Sequence, residues 1–291
     1  MIQSTTITSE VSEISFWSEI DAVLVINLDH RIERWDLLCA EAEGIIPAGK
    51  LHRISAVLGT EIAGVDEAPW FRGGKRAATW AGRGGCVLAH RRALETARAA
   101  GWGRVLILED DATFDTDFIA SLRGLETALF HSETQWDICF LGFTHPQGPF
   151  RTVAQLTGGR HLTQIYGCKC THAYLLNAEL RDWVLEQLPD ETTIWPWLAV
   201  NRAIDRWYQS QLGKAFLVLA VSPQLILQRD DYSDIVRRVT SHFSEGSNHL
   251  SIPLTPPSGT YVVRYFIQTQ MAKIGRAYNH LSAWKKRFSG F

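Results

Sequence analysis

The first long apolar run, Ala22–Leu28 (AVLVINL), is hydrophobic at nearly every position and then turns polar, which predicts a strand buried on both faces. Residues 31–43 read as a helix stopped by Gly44, and Leu51–Val57 predicts a second strand. From Leu58 to Gly85 the chain is rich in Gly, Trp and Arg without a period, which reads as a long loop of the functional or mobile kind. Cys86–Ala100 then sets Val87, Leu88, Leu94 and Ala97 at helical spacing and ends at Gly101. Val105–Leu108 (VLIL) predicts a short buried strand that runs straight into Glu109-Asp110-Asp111. Next come an amphipathic helix over 115–130, a strand at Ile138–Gly142 and a Pro/Gly-rich loop at Thr144–Gly159. A strand at Ala173–Leu176, helices near 178–188 and 198–212, and a strand at Phe216–Val221 complete the core. Strands alternating with helices, several of them wholly apolar, predict an α/β fold with a mostly parallel central sheet.

Two flanks stand apart from this core, so the chain divides into 1–19, 20–245 and 246–291. Residues 1–19 are polar and Ser/Thr/Glu-rich and read as a loose lead-in. In the last segment Ile267, Met271, Ile274, Tyr278, Leu281 and Phe288 recur at three-, four- and seven-residue steps, with Trp284 beside them, which predicts an amphipathic helix. Charge divides at the same place. No acidic residue follows Glu245, whereas Arg264, Lys273, Arg276, Lys285, Lys286 and Arg287 do, and the preceding 245 residues hold 23 basic against 31 acidic ones. Such a helix either docks on the domain or on a second subunit of a homodimer, leaving a solvated basic face, or lies on an anionic membrane surface.

The whole chain of 291 residues is 46% hydrophobic and 21% charged, ordinary globular values that exclude wholesale disorder and a polytopic membrane protein. A net charge of −2 removes any whole-chain electrostatic case for nucleic-acid binding. Five scattered cysteines, with only Cys168 and Cys170 close together, predict reduced thiols rather than a zinc site. With no signal-peptide pattern at the amino terminus and no run of about 18 apolar residues, the expected location is cytoplasmic, with peripheral contact at the cytosolic face of the inner membrane as an option for the tail.

Glu109-Asp110-Asp111 is the most informative triplet. Ligands of open α/β sheets bind beyond the carboxyl ends of strands, and three adjacent carboxylates there repel one another unless a cation or a donor network offsets the charge. Hard cations such as Mg²⁺ or Mn²⁺ suit such oxygens; an acidic turn at the start of the 115–130 helix is the plainer alternative. The chain carries no Gly-x-Ser-x-Gly, His-Glu-x-x-His, P-loop or Gly-x-Gly-x-x-Gly pattern. Ala81-Gly-Arg-Gly-Gly85 precedes a helix and reads as a flexible loop end or, less simply, an anion site.

Val25-Ile-Asn-Leu-Asp29 with Arg31 and Arg34-Trp35, Gly85-Cys-Val-Leu-Ala-His90 and Leu106-Ile-Leu-Glu-Asp-Asp-Ala112 resemble, in order, three motifs of glycosyltransferase family 25. That family includes bacterial lipooligosaccharide β-galactosyltransferases and collagen galactosyltransferases. Ala173-Tyr174-Leu175, Ala203-Ile-Asp205, and Pro223, Gln228 and Ser233-Asp234-Ile235 resemble its later elements, so the likeness spans residues 22–236. Ala89 departs from the family's usual Ser and removes a hydroxyl. The resemblance implies a GT-A-type fold with a Rossmann-like sheet, a divalent metal (Mn²⁺ or Mg²⁺), a UDP-sugar donor and a saccharide acceptor. It implies Asp111, with Asp110, as metal ligand, and Asn27, Leu28, Arg31, Arg34, His90, Glu109 and Asp110 as donor-site residues. An inverting transfer needs a carboxylate base, for which Asp205 is the first choice and Asp190 and Glu191 follow. Tyr174, Trp195 and Trp197 are offered as a sugar-stacking wall. The expected function is therefore metal-dependent inverting transfer, of galactose in the first instance, in lipopolysaccharide-like glycan assembly. The rivals are a catalytically silent GT-A-like binding module and a nucleotidyltransferase, although residues 22–35 lack the Gly-rich loop of the latter.

Overall fold

The computed structural model describes residues 15–67, 69–71, 77–233, 235, 238–241, 250–256 and 258–288. Its strands are β1 (Ala22–Asn27), β2 (Leu51–Ser55), β3 (Arg104–Glu109), β4 (Ala112–Phe114), β5 (Ile138–Gln147), β6 (Arg151–Gln155), β7 (His161–Ile165), β8 (Gly167–Asn177), β9 (Val218–Ser222), β10 (Ile226–Gln228), β11 (Asp231–Ser233) and β12 (Arg238–Thr240). Its helices are α1 (Ile32–Ala42), α2 (Ala77–Ala99), α3 (Phe118–Phe130), α4 (Ala178–Gln187), α5 (Ile194–Asn201), α6 (Ile204–Gln211) and α7 (Tyr261–Phe288).

Eight strands form one sheet in the order β2-β1-β3-β8-β5-β9-β7-β6. Following the pairings along it, only β8 and β7 run against the other strands: six of the eight share one direction, as the α/β pattern predicts, in a mixed sheet with three parallel and four antiparallel pairs. The uninterrupted apolar run of β1 has a direct explanation. Ala22, Leu24 and Ile26 enter one core layer with α2, α4, α5 and α6, while Val23 and Val25 enter the other with α1 and α3. Side chains alternate across a strand, so a strand with helices on both faces is apolar at both parities.

The structure departs from the sequence expectation at several points. Helix α2 begins at Ala77, so Gly82, Gly84 and Gly85 lie inside a helix and not in a flexible loop end. Close packing is the reason. A Cβ at Gly85 would sit 2.3 Å from the Val57 carbonyl oxygen, and one at Gly84 would sit 2.9 Å from the Trp195 ring. The segment read as loop 144–159 instead extends β5 and adds β6, a half-exposed edge strand whose side chains carry little hydrophobic pattern. The helix expected over 198–212 is two helices, α5 and α6, separated at Arg202, whose φ is +71°. The end of the lead-in is packed rather than loose, because Phe16 and Trp17 of the Ser15–Ser18 turn are buried in the α1/α3 layer. All five cysteines are free.

Helix α7 docks on α5, but not through its apolar stripe. Tyr261 and Ala283 are its buried residues, and the Tyr265 hydroxyl donates to the Gly213 carbonyl. Among the described residues no helix is long and apolar enough to cross a membrane.

Candidate functional site

The site is built where β1 and β3 end side by side. Their parallel register sets Ile26 against Glu109, so Asn27 and Asp110 meet just beyond the paired strands. Asn27 Nδ2 donates to Asp110 Oδ2 at 2.8 Å, and Arg53 Nε donates to Asn27 Oδ1 at 2.8 Å. Arg34, on the first turn of α1, is buried and pairs with Asp110 Oδ1 at 2.9 Å and with Asp231 Oδ2 at 2.9 Å. Burial would lower the Arg34 pKa, but Asp110, Asp111 and Asp231 together hold it above its ordinary value. Arg34 is thus a clamp that ties α1 to β3 and β11, already occupied by carboxylates. Arg31 reaches the Tyr232 carbonyl oxygen at 3.2 Å and pairs with Glu33 at 3.0 Å. The Leu28 carbonyl accepts from the backbone N–H of Arg31 at 2.8 Å. Of Ser233-Asp234-Ile235, Asp234 falls outside the described residues, while Ser233 ends β11.

Glu109 turns to the other side of the strand. Its Oε1 accepts from Thr171 Oγ1 at 2.9 Å and lies 3.4 Å from His90 Nε2. His90 in turn meets the Tyr174 hydroxyl at 2.9 Å through Nδ1, and Tyr174 lies 3.5 Å from the Tyr208 hydroxyl. Burial pushes the Glu109 pKa up, yet the hydrogen bonds and charge of His90, His172 and Thr171 hold it below the ordinary carboxylate range.

Asp111 is held differently. Its backbone is fixed, since its carbonyl accepts from Arg229 N–H at 2.8 Å and the β4–β10 pair sets Ala112 opposite Gln228. Its side chain is left with one distant donor, Gln228 Nε2 at 3.5 Å from Oδ2, while Oδ1 is buried with no hydrogen-bond partner. Burial, then the charges of Glu109 and Asp110, push its pKa up from 3.8 to about 7. Glu109 is thus the stronger acid of the pair and Asp111 the weaker. A buried acceptor without a donor, beside two more carboxyl groups, is what a hard cation would relieve, so the donor set fits Mg²⁺ or Mn²⁺ at Asp111. Asp110 is less available, because Asn27 and Arg34 already take both of its oxygens. A second, softer set lies alongside, where the ligand atoms of Cys86, His90 and Glu109 are all within 4.8 Å of one another.

The acceptor-side expectations separate cleanly. Asp205, in the first turn of α6, accepts from the Arg206 backbone N–H at 2.7 Å through Oδ1, and its charge, with those of Glu109 and Asp111, helps burial raise the pKa of Cys86 and Cys170. Among the described residues Asp205 forms no ion pair with Arg202 or Arg206. Arg83, Arg202 and Arg206 cluster beside it, and burial followed by the Arg206 charge lowers the Arg83 pKa. Asp190 does not join the site. It is an exposed turn residue whose Oδ1 accepts from Thr192 Oγ1 and Thr193 Oγ1 at 2.7 Å each, and those bonds lower its pKa to about 2, which makes it a weak proton acceptor. Glu191 is exposed next to it. Tyr174 and Trp195 are core residues and not a stacking wall: Trp195 donates to the Ala63 carbonyl at 2.7 Å and packs edge-on against Phe71. Trp197 is half-buried and donates to the Gln187 carbonyl at 3.2 Å.

Sequence reasoning missed Thr171, Tyr208, Arg53 and Asp231, which carry no local signal because their partners lie far away in the chain. Cys86 could have been found, since Cys86 and His90 stand four residues apart on one helical face.

No family model matches the chain. Over 130 residues it is 30% identical to inactive glycosyltransferase 25 family member 3 from Homo sapiens, a match taking in 42% of this chain and 22% of that protein. The chain thus spans well under two thirds of that relative's length, and the similarity supports a distant glycosyltransferase-family relationship. Two solved structures are similar in outline. A197 from STIV has a TM-score of 0.34 at 11% identity, covering 81% of this chain and 98% of that one. Mannose-1-phosphate geranyltransferase from Thermus thermophilus has a TM-score of 0.35 at 12% identity, covering 74% and 76%. At those scores neither bears on the chemistry of the site.

Proposed function

We propose that this chain is a metal-dependent inverting glycosyltransferase of the family 25 kind, moving a sugar, galactose from UDP-galactose in the first instance, onto a saccharide acceptor of cell-surface glycan assembly. The observation that carries the reading is the buried, donor-less Oδ1 of Asp111 at the end of β3; the charges of Glu109, Asp111 and Asp205 all act on the Cys86 thiol beside it. A divalent cation at Asp111 would supply positive charge against the departing diphosphate. Asn27 and Leu28 border the place of the nucleoside, and the Arg83, Arg202 and Arg206 cluster offers charge to an anionic group. Asp205 takes the proton of the acceptor hydroxyl as its oxygen bonds to the anomeric carbon and the bond to the diphosphate breaks. Glu109, fixed by Thr171 and His90, keeps the charge that holds the cation side of the site negative.

The test is calorimetric titration of UDP with Mn²⁺ and with EDTA, on the wild-type chain, Asp111→Asn and Cys86→Ser. Metal-dependent affinity lost in Asp111→Asn and kept in Cys86→Ser is expected. Equal UDP affinity with and without metal overturns the proposal. Metal-dependent UDP binding with no hydrolysis of any sugar nucleotide in a donor screen leaves a silent binding module, the reading favoured by the human relative, which is named inactive.

A further inference from the structure

Helix α7 is docked by the side that carries few large apolar groups. Tyr261 and Ala283 are buried, and Arg276 reaches Asn201 Oδ1 at 3.4 Å. The opposite side holds Val263, Ile267, Met271, Ile274, Tyr278 and Leu281, whose exposure runs from 51% at Ile267 to 70% at Ile274. At about 100° per residue these positions share the half of the helix turned away from the domain. The stripe runs from Val263 to Leu281, about 27 Å at 1.5 Å per residue, and a contiguous exposed apolar face of this kind marks an interaction surface.

We infer that this outer face of α7 lies on an anionic lipid surface. Charge selects that occupant. Arg264, Lys273 and Lys285 are exposed around the stripe, and no acidic residue occurs anywhere after Glu245. Stripe-on-stripe pairing with a second copy would bring two wholly basic tails together, whereas an anionic leaflet meets apolar and basic positions at once. The helix rests in the interface and does not cross it, since it has no window apolar enough to span. Docking on α5 fixes the face in advance, so the whole domain is oriented when the helix binds. The inference is independent of glycosyl transfer.

The experiment is vesicle flotation of the full chain with phosphatidylcholine alone and with phosphatidylcholine containing phosphatidylglycerol, at low and high salt. One variant, Ile267→Glu/Ile274→Glu/Leu281→Glu, removes the apolar face, and another, Arg264→Gln/Lys273→Gln/Lys285→Gln, removes charge. These side chains point to solvent, so both should keep the wild-type circular dichroism and melting. Partition onto the phosphatidylglycerol vesicles that weakens at least about tenfold in each variant and falls with salt is the expected result. No binding at low salt, or binding unchanged in the apolar-face variant, overturns the inference. A dimer in sedimentation analysis that this variant dissociates, with no vesicle binding, assigns the face to a second copy instead.

Discussion

Asp111→Asn should make the metal-free protein more stable at alkaline pH while removing its response to metal. In the folded chain burial and the neighbouring Glu109 and Asp110 raise Asp111 from 3.8 to about 7. A group whose folded pKa is raised stabilises the fold while protonated, and that contribution is lost as pH climbs from its unfolded value through the folded one. The wild-type chain therefore loses stability from this residue between about pH 4 and pH 7, and the penalty is complete near pH 8. Its ceiling is about 4 kcal/mol, taking 1.36 kcal/mol for each tenfold change in proton affinity. Asparagine keeps the shape and the Gln228 contact without the charge. At about 2–4 °C per kcal/mol for a chain of this size, the variant should melt on the order of 10 °C higher in EDTA at pH 8 and no higher at pH 4. Glu109, Asp110 and Arg34 interact with the Asp111 charge, so the difference between the two proteins reports Asp111 together with the shifts its charge imposes on these neighbours. Mn²⁺ should raise the wild-type melting temperature at pH 8 and leave the variant where it is. Scanning calorimetry at pH 4, 6 and 8, with EDTA and with Mn²⁺, measures all of this. A variant equal to or less stable than wild type at pH 8, or a difference independent of pH, refutes the electrostatic account of the site.

Asp205→Asn should lower transfer by at least about 10²-fold with UDP affinity nearly unchanged, since a general base acts on the acceptor and not on the nucleotide; near-normal turnover would place the base elsewhere. Arg34→Ala should destabilise the fold by about 3–5 kcal/mol in urea denaturation, because it strands Asp110 without its buried partner. A variant of unchanged stability that has lost UDP affinity would instead make Arg34 a phosphate contact.

The chain by itself determined the layered α/β frame and pointed to the strand end where the candidate site is assembled. Those features are local. Apolar residues at both parities of Ala22–Asn27 announce a strand covered on both faces, and a buried run ending in three carboxylates announces a charged strand end. The same logic failed where pattern and burial part company: on the edge strand β6, and in the Gly82–Gly85 stretch, where glycine serves close packing rather than a turn. Tertiary structure decided the surroundings of each carboxylate. In the sequence Asp205 is preferred to Asp190 only through its likeness to a family element; the fold brings the charge of Asp205 to bear on the Cys86 and Cys170 thiols and gives Asp190 four donors from Thr192 and Thr193. Asp110 and Asp111 are neighbours in sequence, but Asn27 and Arg34 reach only the first across 83 and 76 residues, leaving the second with an acceptor unfilled. In α7 the period fixed the stripe, while the choice of which face docks came from Tyr261, Tyr265 and Ala283 meeting surfaces that only the folded domain creates. Periodicity records which face of an element is apolar; what covers that face is set by long-range contacts, and charge and hydrogen bonding at a site follow the partner.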